Sequence, residues 1–294
     1  MRFDKTFIAI RERGVLELFD LALHVIVVHF KPLFWLLLIG TLPWIVLDYY
    51  LIGWMANAEV VDPSFYYWLM LMLIVSQAQV GTTFMTRYLA QAMFEGRPSV
   101  GATIRAKIPF YFFWSHGVLR CVLLVLLLCF SLSSRAGGFE WTATVVFLFV
   151  PALVLLGLFV RAFRPFASEI LLLEKTPISG KDPSVIHFSK RSTALHGSAS
   201  SDLFGRMIAA AVFAALLAFS CYALFAVLDS IFNIQANMEF TLYPFYWIVS
   251  LWAVAGFICV VRFLSYIDIR IRQEGWAVEL RMRAEGQRLV RGLE

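Results

Sequence analysis

The sequence predicts an all-α, polytopic transmembrane bundle of six spans with amphipathic interfacial helices, and three observations carry that prediction. Hydrophobic residues make up 61% of the chain, charged residues only 15%, and mean hydropathy is +0.77. A soluble domain is nearer half apolar and a quarter charged, so lipid must solvate much of this surface. The apolar residues fall into six long runs, each near the roughly 20 residues a spanning helix needs. Lys and Arg, finally, are crowded into alternate connections between those runs.

The runs extend over about Pro32 to Met55, Phe65 to Thr86, Phe110 to Leu132, Trp141 to Phe163, Met207 to Leu228 and Phe245 to Tyr266. A backbone in lipid must satisfy its own hydrogen bonds, which leaves helices or a closed barrel. Continuous runs, rather than ten-residue alternation, select helices. Ala56-Asn57-Ala58 resembles a signal-peptidase site. About thirty residues precede the run, however, and it is too long for a signal h-region, so the segment is expected to remain as the first span.

Charge sets the orientation. Every basic residue except Arg135 lies before the first run, between the second and third, between the fourth and fifth, or after the sixth, allowing for Arg120, Arg161 and Arg262 at run ends. Asp48, Glu59, Asp62, Glu140, Asp229 and Glu239 fall on the opposite side. This is the positive-inside pattern of a bacterial inner-membrane protein with both termini cytoplasmic. The net charge of +5 therefore reports topology and not nucleic-acid binding, since the basic residues form no long tract.

The whole chain reads as one membrane domain: an amphipathic segment over 1–31, spans within 32–266, and a cytoplasmic helix over 267–294. In the first segment Leu16, Phe19, Leu23, Ile26 and Phe30 recur at helical spacing opposite Glu17, Asp20, His24 and Lys31. The helix is expected to lie at the inner interface until Pro32 redirects the chain. Pro98-Ser99-Val100 and Pro183-Ser184-Val185 open two similar elbows, with Ser as N-cap or Pro at the first helical position. If the second elbow continues to Gly117, Arg120 snorkels to the inner headgroups; otherwise Arg120 and His116 form a buried pair.

The stretch Tyr266-Ile-Asp268-Ile-Arg270-Ile-Arg272-Gln-Glu274-Gly-Trp276-Ala-Val-Glu279-Leu-Arg281 is the most unusual in the chain. Its i,i+4 pairs, Asp268 with Arg272 and Arg270 with Glu274, suit a surface-lying helix. Ile269, Trp276 and Leu280 are then free to face lipid or another subunit. Two readings apply: a docking surface for a partner or anionic headgroups with Trp276 as anchor, or a salt-bridged helix closing the cytoplasmic face.

This ending resembles that of bacterial membrane proteins similar to the membrane domain of glycerophosphoryl diester phosphodiesterases. Gly14-Val-Leu-Glu17-Leu-Phe-Asp20, His29-Phe30-Lys-Pro32 and Arg191-Ser192 with Leu195 and Gly197 are similar to further parts of that group; Ala277, where an acid is usual, departs from it. The resemblance implies a helical bundle belonging to a multiprotein assembly, since relatives are often encoded near an AAA-type ATPase and transglutaminase-like membrane proteins. It implies no phosphodiesterase activity.

Inside the runs, Asp48, Gln77, Gln79, Thr82, Thr83 and Arg120 are candidate intramembrane polar residues, for a pathway or for interhelical hydrogen bonding. Cys121, Cys129, Cys221 and Cys259 sit in apolar runs without paired spacing, and the five histidines show no ligand spacing. No phosphate-cradling loop, zinc-protease motif or nucleophile elbow occurs. The sequence thus predicts no enzyme, cofactor, metal or nucleic acid. It points to a non-catalytic multi-pass subunit that scaffolds or anchors a membrane complex among lipids and other membrane subunits, with a small transporter or channel component as the alternative.

Overall fold

A computed structural model describes residues 14–53, 55, 63–95, 98–106, 152, 165–174, 176–177, 187–197, 200–236 and 243–273. Among the described residues the chain is all-helical, without strands. Four of the described helical segments are long and apolar enough to cross a membrane. The third and fourth spans expected from the sequence lie outside the described residues.

Helix α1 (Val15–Val28) stops at His29, where φ is −108° and ψ is 26°, and α2 (Phe30–Ile52) begins at once. The redirection expected at Pro32 therefore falls three residues earlier. Pro32 sits in the first turn of α2, where its missing N–H has no helical partner to lose. Pro43 lies inside α2 and removes one rung of its ladder. The face of α1 packed into the bundle runs through Leu18, Phe19, Ala22 and Val25, while Leu16 and Leu23 of the apolar stripe expected at the interface are exposed. Ala22 has no bulk to hold the helices apart, and the Phe19 ring packs at a tilt against Phe257 at 6.2 Å and Phe213 at 5.0 Å between centroids.

Helices α3 (Pro63–Gly81) and α4 (Thr83–Glu95) form one apolar rod interrupted at Thr82. Thr82, Thr83 and Thr86 return their hydroxyls to the carbonyls of Ala78, Gln79 and Thr82, satisfying side chains that would otherwise be orphaned in an apolar span. At the same level a Cβ on Gly40 would collide with the Gly81 carbonyl, and one on Gly81 would come within 2.7 Å of Trp252. Small residues let α2, α3 and the last helix approach closely, as in other membrane bundles.

Helix α5 (Val100–Arg105) has Ser99 at its N-cap and ends in extended backbone at Ala106. The part of the expected elbow from Lys107 to Gly117 lies outside the described residues. The chain reappears as a helical turn, α6 (Ala167–Glu169), that opens into a π-helix, Ile170–Glu174. Helix α7 (Phe188–Gly197) leads into α8 (Ser200–Ala236) and α9 (Tyr243–Gln273). The apolar run expected to end at Tyr266 is part of a longer helix, α9, which runs unbroken through Gln273, and Ile269, expected to be free to face lipid or another subunit, is buried, as is Ile271.

Two cores mark the two ends of the bundle. One gathers α1, the start of α2, α4, the start of α8 and the end of α9 around Leu36, Tyr88, Leu203, Phe263 and Tyr266. The other joins the end of α2, α3 and the start of α9 around Ile52, Leu69, Met70 and Trp252. Adjacent spans are therefore antiparallel. Aromatic residues edge the second end, where Trp247 donates to the Tyr67 carbonyl at 3.0 Å and lies edge-on to Tyr67 and Tyr222. The first end is the charged one.

Candidate functional site

On α9, Arg262, Tyr266 and Arg270 repeat at i,i+4 along one stripe, while Asp268 and Arg272 share another. The first stripe faces α6, the π-helix and α7; the second faces α8. Placing side chains that far along one helix lets a single rod hold three neighbouring segments.

Glu169 is fully buried. Ser168 Oγ donates to its Oε2 at 2.8 Å and Arg262 Nε to its Oε1 at 2.5 Å, so both carboxylate oxygens are matched. Five residues on, Glu174 accepts a fork from Arg191, Nε to Oε2 at 2.6 Å and Nη2 to Oε1 at 2.9 Å. The Tyr266 hydroxyl donates to the same Oε1 at 2.6 Å, and Arg270 Nη1 stands 3.7 Å away. Partial burial raises the Glu174 pKa, but the bonds from Arg191 and Tyr266 and the charges of Arg270 and Arg191 outweigh it and hold the carboxyl below its ordinary value. Glu174 is thus ionised wherever its arginines are in place.

Asp268, 1% exposed, receives Arg206 Nη1 at 2.8 Å and Arg272 Nη2 at 3.1 Å; Arg206 also meets Asp202 at 3.0 Å. His196 closes the group. It lies 2.6 Å from the Ser192 carbonyl through Nδ1, and its Nε2 accepts the Phe166 N–H at 3.4 Å. That pattern assigns a neutral ring with the proton on Nδ1. Gln273 Nε2 donates to the Leu195 carbonyl at 2.8 Å, pinning α7 to the end of α9.

The sequence-expected residues thus divide. Asp268 is consumed inside the fold, Arg270 packs over the Tyr266 ring at 5.7 Å, and Arg272 keeps 30% of its side chain exposed. Glu274, Trp276, Glu279, Arg281 and Arg120 lie outside the described residues. Asp48 and Gln77 meet near the other end, where Gln77 Nε2 donates to Asp48 Oδ1 at 2.8 Å. Asp48 Oδ2 and Gln77 Oε1 are buried without a hydrogen-bond partner. Gln79 is buried, and its carbonyl accepts from Thr83.

Glu169, Glu174, Arg191, Arg206 and Arg262 were not singled out by sequence as a site. Their signal was present: Arg262 interrupts an apolar run, and two acids bracket Ile170-Leu-Leu-Leu. An isolated charge in such a run requires a partner of opposite sign. Nothing in the sequence names which one.

Chemically, these guanidinium–carboxylate pairs are engaged with one another. Among the described residues no group of three or more His, Cys, Asp or Glu is arranged to hold a metal. Comparison with protein-family models, curated proteins and solved structures finds no match for this chain.

Proposed function

We propose that this chain is a six-span, non-catalytic subunit of a bacterial inner-membrane complex, with its charged end and both termini cytoplasmic and that end serving as a docking platform. The observation that carries the reading is the set of ion pairs at that end, Arg262–Glu169 and Arg206–Asp268 in the interior and Arg191–Glu174 partly buried beside them. Buried ion pairs add little net stability, because desolvation offsets their attraction, but they demand one geometry. A network that fixes three segments to the end of α9 suits a rigid surface for another protein better than a site that must open and close.

The span count rests on the six apolar runs of the sequence. The cytoplasmic assignment rests on the sorting of Lys and Arg. The resemblance of the Tyr266–Arg281 stretch to proteins of multisubunit assemblies points the same way.

Cross-linking of the full-length protein in its native membrane, followed by native electrophoresis, tests the proposal. We expect co-migration with defined other polypeptides, weakened by Arg272→Glu at the exposed rim. Migration of this polypeptide alone would overturn it. The buried Asp48–Gln77 pair favours the transporter alternative, for which proteoliposome flux abolished by Gln77→Leu is the corresponding test.

A further inference from the structure

A cavity of about 470 Å³ lies between α1, α3, α8 and α9, within the roughly 300–1,000 Å³ of small-molecule sites. Its walls are apolar, with Phe19 from α1, Ile74 from α3, Ala211 from α8 and Val254 from α9. Ala211 is exposed as well as lining, so the cavity communicates with the outer surface of the spans. Among the described residues that line it, Arg206 and Arg262 carry charge, both at the charged end.

Arg262 keeps only 10% of its side chain exposed and gives Nε to Glu169, yet its Nη2 is buried and has no hydrogen-bond partner. A guanidinium offers five N–H donors and no acceptor, so what this position lacks is an acceptor oxygen. An unmatched donor in an apolar surround is costly. Glu169 and Asp268 each engage one side of a guanidinium, and in a low-dielectric wall the acceptor that best matches a remaining donor is an anionic oxygen with no cation beside it.

We propose that the cavity binds one anionic phospholipid, with a hydrocarbon chain along α3, α8 and α9 and its phosphate oxygens on Arg262 and Arg206. A lipid suits both halves of the site: the walls need hydrocarbon, the arginines need an anionic acceptor, and the helices already stand among such molecules. The proposal is independent of the docking role.

Native mass spectrometry of the full-length protein in detergent tests it, with phosphatidylglycerol and phosphatidylcholine of identical chains as ligands and inorganic phosphate as competitor. We expect a single phosphatidylglycerol to bind on the order of tenfold tighter than phosphatidylcholine, whose choline cation sits beside the same phosphate oxygens and is repelled by the two guanidiniums. Arg262→Lys should erase that preference. Ala211→Phe, at an exposed helical position where folding is insensitive to the change, should displace the lipid by filling the cavity. Equal affinity for the two lipids, phosphatidylglycerol binding unchanged by Ala211→Phe, or displacement by inorganic phosphate alone would each overturn the proposal.

Discussion

Helices α8 and α9 are antiparallel neighbours of 37 and 31 residues, both apolar enough to cross a bilayer. Yet 6% of the spanning window of α8 is buried, against 72% of that of α9. The more exposed helix is also the more apolar one. In water that ordering would be reversed, because burial of hydrocarbon drives packing. Lipid tails are as apolar as leucine, so Leu216, Phe219 and Leu224 of α8 gain little by leaving them. Ser250, Arg262, Ser265 and Asp268 of α9 cannot face lipid cheaply and turn inward. In this protein polarity, not hydropathy, marks the helix at the core.

The largest test of that contrast is Arg262→Leu. It leaves Glu169 fully buried and without its cation, which should cost about 3–5 kcal/mol. Leu216→Ala on α8 should stay within about 0.5 kcal/mol, as surface changes do. Reversible unfolding in mixed micelles reads both. The double change Glu169→Leu with Arg262→Leu should recover most of the loss, because it removes the charge and its counter-charge together. Similar costs for Arg262→Leu and Leu216→Ala would erase the distinction between the two helices.

A smaller effect is expected from glycine. Gly40→Ala drives a Cβ into the Gly81 carbonyl, where α2 and α3 cross beneath Trp252. Overpacking of that kind costs about 1–3 kcal/mol. Gly205 on α8 has open space where a Cβ would stand. Gly205→Ala should therefore stabilise by about 0.5–1 kcal/mol, through the lower entropy cost of alanine in a helix. Thermal midpoints moving in opposite directions would sharpen the contrast.

The four described spanning helices were legible in the sequence because lipid imposes length and apolarity on each segment separately. Their ends were not. Tyr266 closes the apolar run, but α9 continues to Gln273 because Asp268 finds Arg206 from α8, a contact 62 residues away in the chain. Nor does the sequence tell which residues of α1 pack into the bundle: Leu16 and Leu18 are equally apolar, and of the two Leu18 is buried. The charged site was half legible. Lone charges in apolar runs announced that partners exist, while the identity of those partners belongs to packing between distant segments.

The smallest expected effect concerns Asp48, an acid buried at the opposite end. Asp48 takes a hydrogen bond from Gln77 Nε2 through Oδ1, which leaves Asp48 Oδ2 and Gln77 Oε1 as two buried acceptors without donors. Asp48→Asn keeps the shape and the first bond, and exchanges Oδ2 for an amide that can donate to Gln77 Oε1. Stability should be unchanged or slightly raised, since both orphaned groups gain a match. Asp48→Leu, by contrast, strands the Gln77 amide and should cost about 1–3 kcal/mol. If Asn proves as damaging as Leu, the carboxyl group itself is required in the span, and a buried acid retained for its chemistry would shift the balance from a scaffold towards a transport pathway.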